Sequence, residues 1–389
     1  MRHTTRREFI NKSILGLGAI GVSGLVGGCA PQATSDNPLP STNVPMATAQ
    51  ATATNVPTAT NPATATNAPT ATSQATATNV PKATLAPSVP LDSGRAALMA
   101  HWPAKATSRV VKVHRSGAWA GADTAQATVL QMLDEGLSAL TGVADKPSAW
   151  RALFNAGDRV LLKVNCIDSS LPTPPVVTYA VAQRLVDAGL SPENILIFDR
   201  TDRELQACGY KINESGSGIR CHGSRGDGTE AALSQATVRF FKEFDECNVI
   251  INLPLPRSHP FAGITVALKN HYGSVNQPMR LHGNSCDPAI AELNAQPTLR
   301  DKTRLIIGSA LQVASGNWRN PEKEDSLLFS FDPVAHDTVA RDMLVRYRQA
   351  QGQATGSLID VSRHLQTAQS LNLGANDLTK IELVEKTLA

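Results

Sequence analysis

The 389 residues carry 36 Lys and Arg against 33 Asp and Glu, with 42% hydrophobic and 4% aromatic side chains. So even a balance offers no basic surplus for displacing counterions from phosphates, and a nucleic-acid partner is not expected. Nothing in the composition points to a particular protein partner, while the length leaves room for a large α/β domain.

The chain opens "MRHTTRREFINKSILGLGAIGVSGLVGGCA", which sets Arg6 and Arg7 before Phe9 and a glycine-rich apolar stretch from Ile14 to Gly28. This pattern resembles a twin-arginine export signal, and the stretch is too short and too weakly apolar to span a hydrocarbon core of about 30 Å comfortably. "VGGC" resembles a lipoprotein processing site. Residues 1–29 are therefore expected to be a signal ending at a lipidated Cys29, which holds the chain to the outer face of the cytoplasmic membrane. Ordinary cleavage and full secretion is the alternative. Without Arg2, Arg6, Arg7, Lys12 and Glu8 the remaining charges cancel.

Residues 30–92 collapse to Ala, Thr, Pro, Asn and Ser, and "ATATNVP", "ATATNAP" and "ATATNVP" begin at 51, 63 and 75. Such units hold too little apolar surface to bury a core, so this segment is expected to be a disordered, extended tether.

Residues 93–389 are expected to form one large α/β domain. Strand-like runs recur at "RVVKVHR", "DRVLLKVNC", "NILIFDR", "CNVIINLP", "RLIIGSAL", "SLLFSFD" and "KIELVEK", with helical patterns at 124–140, 176–188, 288–294 and 333–349. The order strand, loop, amphipathic helix, strand from Asp158 to Arg200 is that of a βαβ unit. Continuous apolar runs such as "VLLKV" and "NVIINL" belong to strands covered on both faces. The fold class expected is a mostly parallel or mixed sheet with helices on both faces.

Ligands of such sheets sit where strands end. Four runs end on polar groups: Lys163 and Asn165, Asp199 and Arg200, Asn252, and Asp332. Between His259 and His282 lie three of the nine histidines, together with Lys269 and Arg280, and no carboxylate. The apolar run "AGITVAL" places Lys269, Asn270 and His271 at the edge of a core.

The segments "LLKVNC", "VIINLPLPRSHPFAGITVALKNHYG", "RLHG" and "FSFDPVAHDTVARDML" occur in this order. The chain from about Arg109 to Glu385 thereby resembles the domain of unknown function 362 family, matching at Asn252, Pro254, His259, Thr265, Lys269, Asn270, Gly273, Asp332, Pro333, Ala335 and Asp337. That resemblance implies no assigned reaction. Many members carry ferredoxin-like four-iron four-sulfur motifs, but cysteines 29, 166, 208, 221, 247 and 286 include no C-x-x-C, so such a cluster is not expected here. In an oxidising compartment Cys208 and Cys221 offer a short-loop disulfide, with free thiols the alternative; Cys166, Cys247 and Cys286 have no assigned partner.

The candidate catalytic residues are Lys269, His259 and Asp332. Lys163, Asn165, Asn252, Asn270, His282 and Asp337 are candidate ligand-binding residues, giving one donor-rich pocket for a small anionic molecule. A divalent metal on His259 and His282 is a further option, although no H-x-x-x-H or H-x-H spacing supports it. A desolvated Lys163 or Lys269 could serve as a base or form a Schiff base. Two functions stay open: an extracytoplasmic enzyme, redox- or metal-linked, acting on a small anion, and a membrane-tethered binding protein that captures one.

Overall fold

The computed structural model describes residues 108–389. The expected signal, the tether, Cys29 and the start of the domain at 93 lie outside the described residues.

Strand β1 (Ser108–His114) is followed by helices α1 (Gln126–Thr141) and α2 (Lys146–Leu153). Helix α1 stops at Gly142, whose φ of 74° is the left-handed geometry glycine adopts without steric cost. Asp145 caps α2 by accepting from the Ser148 N–H. The expected βαβ unit is β2 (Val160–Lys163), α3 (Pro175–Asp187) and β3 (Ile195–Phe198), with Pro175 at a helix start where a missing N–H costs nothing. Helix α4 (Asp202–Ala207) and strand β4 (Arg220–His222) follow, then a hairpin of β5 (Asp227–Ala232) and β6 (Thr237–Phe241). Next come β7 (Val249–Asn252), a hairpin of β8 (Arg257–His259) and β9 (Gly263–Thr265), and the one-turn helix α5 (Ala267–Asn270). The chain ends through α6 (Ala289–Ala295), β10 (Thr303–Val313), β11 (Glu322–Ser330), α7 (Pro333–Ala350), α8 (His364–Ser370) and β12 (Ile381–Thr387).

Eight strands form one mixed sheet in the order β12-β1-β11-β10-β7-β2-β3-β4. All neighbours pair in parallel except β11, which is antiparallel to both β1 and β10. Alternation along the strands feeds two cores. Val160, Leu162 and Ile251 pack with the apolar sides of α1, α2 and α3. Leu161 and Ile250 point the other way, into a core shared with α6, α7 and α8. Helices thus cover both faces, and each large side chain so buried contributes roughly 1.5–3 kcal/mol. Among the described residues, no helix is long and apolar enough to cross a membrane.

The connectivity locates a crevice. From β2 the chain moves to β3 and β4 on one side, then returns to β7 on the other. The order reverses at β2, so the loops leaving the carboxyl ends of β2 and β7 diverge, and open α/β sheets place ligands at such points.

The direction of β11 corrects one expectation. Had it been parallel, Asp332 would leave the sheet on the same side as Asn252. Instead Ser330 pairs with Ile306, which also pairs with Asn252, and the chain beyond Ser330 runs back along the sheet. Asp332 therefore lies towards the amino edge of the parallel strands.

Candidate functional site

The polar strand ends on either side of the reversal point meet, and they satisfy one another. Lys163 at the end of β2 is buried and donates to Asp199 Oδ1 at 2.9 Å and to the Val164 carbonyl. Asp199 also accepts from the Cys166 and Arg200 N–H groups. Asn165 donates to Asn270 Oδ1 at 2.9 Å and accepts from Arg257 at 2.6 Å. Asn270 donates to Asn252 Oδ1 at 2.7 Å and to the Lys163 carbonyl. Asn252 donates to the Ala267 carbonyl and to His271 Nε2, which leaves the His271 proton on Nδ1, facing Ser274 Oγ at 3.0 Å. Burial first, then Lys163, holds the His271 imidazole neutral, with its pKa down at about 3.

Glycine at 273 closes this network from above. A Cβ there would stand 2.7 Å from Lys163 Nζ and 2.9 Å from Asp199 Oδ1. Lys163, Asn165, Asn252 and Asn270 thus meet, but with their hydrogen-bonding capacity spent on each other and on the backbone around them. A fully connected buried network of this kind rigidifies the loops it joins.

Lys269 belongs to a different cluster. Successive residues of a helix are rotated by about 100°, so on α5 the side chains of Lys269 and Asn270 part. Lys269 is 5% exposed; its Nζ lies 3.2 Å from His282 Nε2 and 3.8 Å over the Tyr272 ring. The His282 ring is 5.8 Å from that of His259, and His259 and His364 lie within electrostatic reach of Lys269. Among the described residues, the immediate neighbours of this ammonium include no carboxylate. Desolvation, the largest influence, brings its pKa down from 10.5 to about 8. Burial first and Lys269 second hold His282 and His364 at about 3 and push His259 well below its ordinary value. At neutral pH Lys269 is a cation among neutral imidazoles.

The ring protons can be placed. His282 Nε2 faces the ammonium and must accept, so its Nδ1–H points to the Pro278 carbonyl at 3.0 Å. His259 Nδ1 accepts from the Phe261 and Ala262 N–H groups, both at 3.1 Å, so Nε2 carries its proton. His364, on α8, is fully buried, and among the described residues neither of its ring nitrogens has a partner. Such an unsatisfied group is costly unless a ligand completes it. His259, Phe261 and His282 are half-buried and form the outer side of the cluster.

Asp337 and Asp332 do other work. Asp337, on the second turn of α7, accepts from the Ala267 and Leu268 N–H groups at 2.8 and 2.9 Å and so holds the start of α5. Burial raises its pKa, and the neighbouring His336 and these bonds oppose that rise. Asp332 caps α7, accepting from Val334, Ala335, Ala375 and Ser108. Its pKa is pushed up to about 6 by burial against those four donors. Its carboxylate is consumed by the cap, so Asp332 does not join the Lys269 cluster. Arg280 sits near the surface, bonded to the Thr237 carbonyl.

A cleft of about 480 Å³ opens at the carboxyl edge, lined by Leu171 and Pro174 after β2, Leu255 after β7, Cys208 after α4, and Ser309 and Gln312 on β10. The buried Ser309 hydroxyl has no partner among the described residues. Among the described residues, no three His, Cys, Asp or Glu side chains are grouped to hold a metal ion. The five cysteines in this part of the chain are buried and free, the alternative left open to a Cys208–Cys221 pair, and Cys208 faces Cys166.

Sequence reasoning missed two participants. Arg257 is 1% exposed, stacked 4.2 Å from the Trp318 ring, with its pKa lowered to about 10 by burial. An arginine inside the apolar "LPLPRSH" was its visible signal. His364 stands 82 positions beyond His282 in an unremarkable helix, and no local pattern marks it.

A doubly covered, mostly parallel sheet with its polar strand ends locked around a reversal point defines the class of protein. Residues 160–342 match the model of the family described as Domain of unknown function (DUF362), which supports the resemblance of the chain to that family. No curated protein matches the chain. Among solved structures it is similar to a protein from Thermotoga maritima at 10% identity and a TM-score of 0.33, covering 64% of this chain and 60% of that one. It is also similar to the lactate racemase apoprotein from Thermoanaerobacterium thermosaccharolyticum at 12% identity and a TM-score of 0.30, covering 57% and 54%. The chain spans less than two thirds of the length of either protein.

Proposed function

We propose that this chain is a membrane-tethered, extracytoplasmic protein that takes a small anion at Lys269. The observation that carries this reading is a buried ammonium that has no carboxylate beside it among the described residues, next to an imidazole, His364, that has no hydrogen-bond partner among them. Desolvated cations are stable only when paired, and a bound phosphate or carboxylate oxygen would supply the missing charge. In this reading Lys269 Nζ and the N–H groups of His259 and His364 hold the anion. His282 orients the ammonium, and Asp337 positions it through the backbone of α5. A positive centre flanked by neutral donors favours an anion over a divalent metal at the same place.

The Lys269 amine is partly uncharged near pH 8, so it is also able to accept a proton from a bound acid. Turnover of the captured molecule would make the protein an enzyme; saturable binding without turnover is the function of a capture protein. The sequence features at Arg6, Arg7 and Cys29 support the address, and Cys29→Ala should move the protein from the membrane fraction to the soluble one or block its processing. Unchanged fractionation would overturn the lipid anchor.

The test of the site uses inorganic phosphate with the full chain at pH 7. Phosphate should raise the melting temperature saturably, sodium chloride at equal ionic strength should not, and the rise should vanish in Lys269→Met and His364→Phe. An equal rise in wild type and both variants would place the binding elsewhere.

A further inference from the structure

The exit from β2 brings Cys166 beside Cys208, at the end of α4, and Cys208 lines the carboxyl-edge cleft. Cys166 follows Lys163 by three positions, and its backbone N–H donates to Asp199 Oδ2. Cys208, the residue that ends α4, lines the cleft. Its Sγ lies 3.8 Å from the Cys166 carbonyl oxygen, and the two thiols are within electrostatic reach of each other. Both are free, Cys166 at 2% exposure and Cys208 at 8%. Neither takes part in the Lys269 cluster. The remaining described thiols do not share this position: Cys221 lies on β4, Cys247 precedes β7, and Cys286 sits beside Tyr272.

We infer that Cys166 and Cys208 are a dithiol pair that is converted to a disulfide by a disulfide-class oxidant entering through the cleft. Cys208 is the thiol on the cleft wall, so its sulfur attacks one sulfur of the oxidant and expels the other half as a thiol. Cys166 then attacks the Cys208 sulfur of the mixed disulfide and releases the second half. One oxidant disulfide and two protein thiols become one protein disulfide and two small thiols, and the two protein protons leave on those thiols. Burial pushes the Cys166 thiol pKa up, which makes it a poor first nucleophile. The bond would close a loop of roughly 40 residues containing α3, β3 and α4, and would tie the strand end that carries Lys163 to the helix end across the cleft.

The experiment treats the folded full chain with oxidised glutathione, blocks remaining thiols by alkylation, and maps the tryptic peptides without reduction. The expected result is a linked pair of the peptides 164–184 and 204–211, lighter by two hydrogens than their sum, with a higher melting temperature of the oxidised protein. The link should persist in Cys221→Ala and disappear in Cys208→Ala. Three results would each overturn the inference: a stable glutathione adduct on Cys208, a Cys208–Cys221 link, or Cys166 and Cys208 left as free thiols after the treatment and alkylated only after unfolding in urea.

Discussion

Replacing Lys269 with methionine should stabilise the protein, because the native side chain is a buried charge that its surroundings do not neutralise. The pKa falls from 10.5 to about 8 on folding; at about 1.4 kcal/mol per pH unit, the charged form loses on the order of 3 kcal/mol. For a base whose folded pKa is depressed, the unfolded chain binds the extra proton between those two values. Stability contributed by this group therefore rises as the pH rises from 8 to 10.5, and the penalty is complete below 8. Lys269→Met removes the titrating group while filling a similar volume. In urea unfolding the variant should exceed wild type by about 3 kcal/mol at pH 7, and the gap should shrink to about 1 kcal/mol or less at pH 10. A variant less stable than wild type at pH 7, or a gap that does not change with pH, would show that a partner already compensates the ammonium, and the anion-binding argument would lose its basis.

Asp332→Ala should cost about 1–2 kcal/mol as a lost helix cap, seen as a lower melting temperature, while phosphate affinity measured by calorimetry stays within about twofold; a selective loss of phosphate binding would return Asp332 to the site. Gly273→Ala should force apart the Lys163–Asp199 pair and cost on the order of 1–3 kcal/mol in urea unfolding; wild-type stability would mean that the loop above the pair is free to shift. Lys163→Met should cost more, about 3–5 kcal/mol, because it strands the Asp199 carboxylate in the interior; a neutral result would show that water reaches that carboxylate.

The sheet was legible because its signals are local. Continuous apolar runs marked β2, β3 and β7 as doubly covered, the double proline marked the start of α3, and "FDPVAHD" marked the start of α7. The meeting of Asn165, Asn252 and Asn270 followed from placing strand ends along one edge. Strand direction is not written in such a run, since "SLLFSFD" alternates identically whichever way it points, and Asp332 was misplaced for that reason. The split of the cluster turns on one helical step between Lys269 and Asn270, which fixes side chains on different faces whatever their spacing in sequence. His364 was invisible because its role comes only from tertiary packing of α8 against the Lys269 cluster.

The most direct measurement is the titration of the Lys269 side chain by NMR in protein isotopically labelled at its lysines, with Lys269→Met assigning the signal. The account predicts a midpoint of about 8 in the free protein, moving upward when phosphate saturates the site, because a bound anion favours the charged amine. A midpoint at the ordinary lysine value, or one near 8 that phosphate leaves in place, would contradict it.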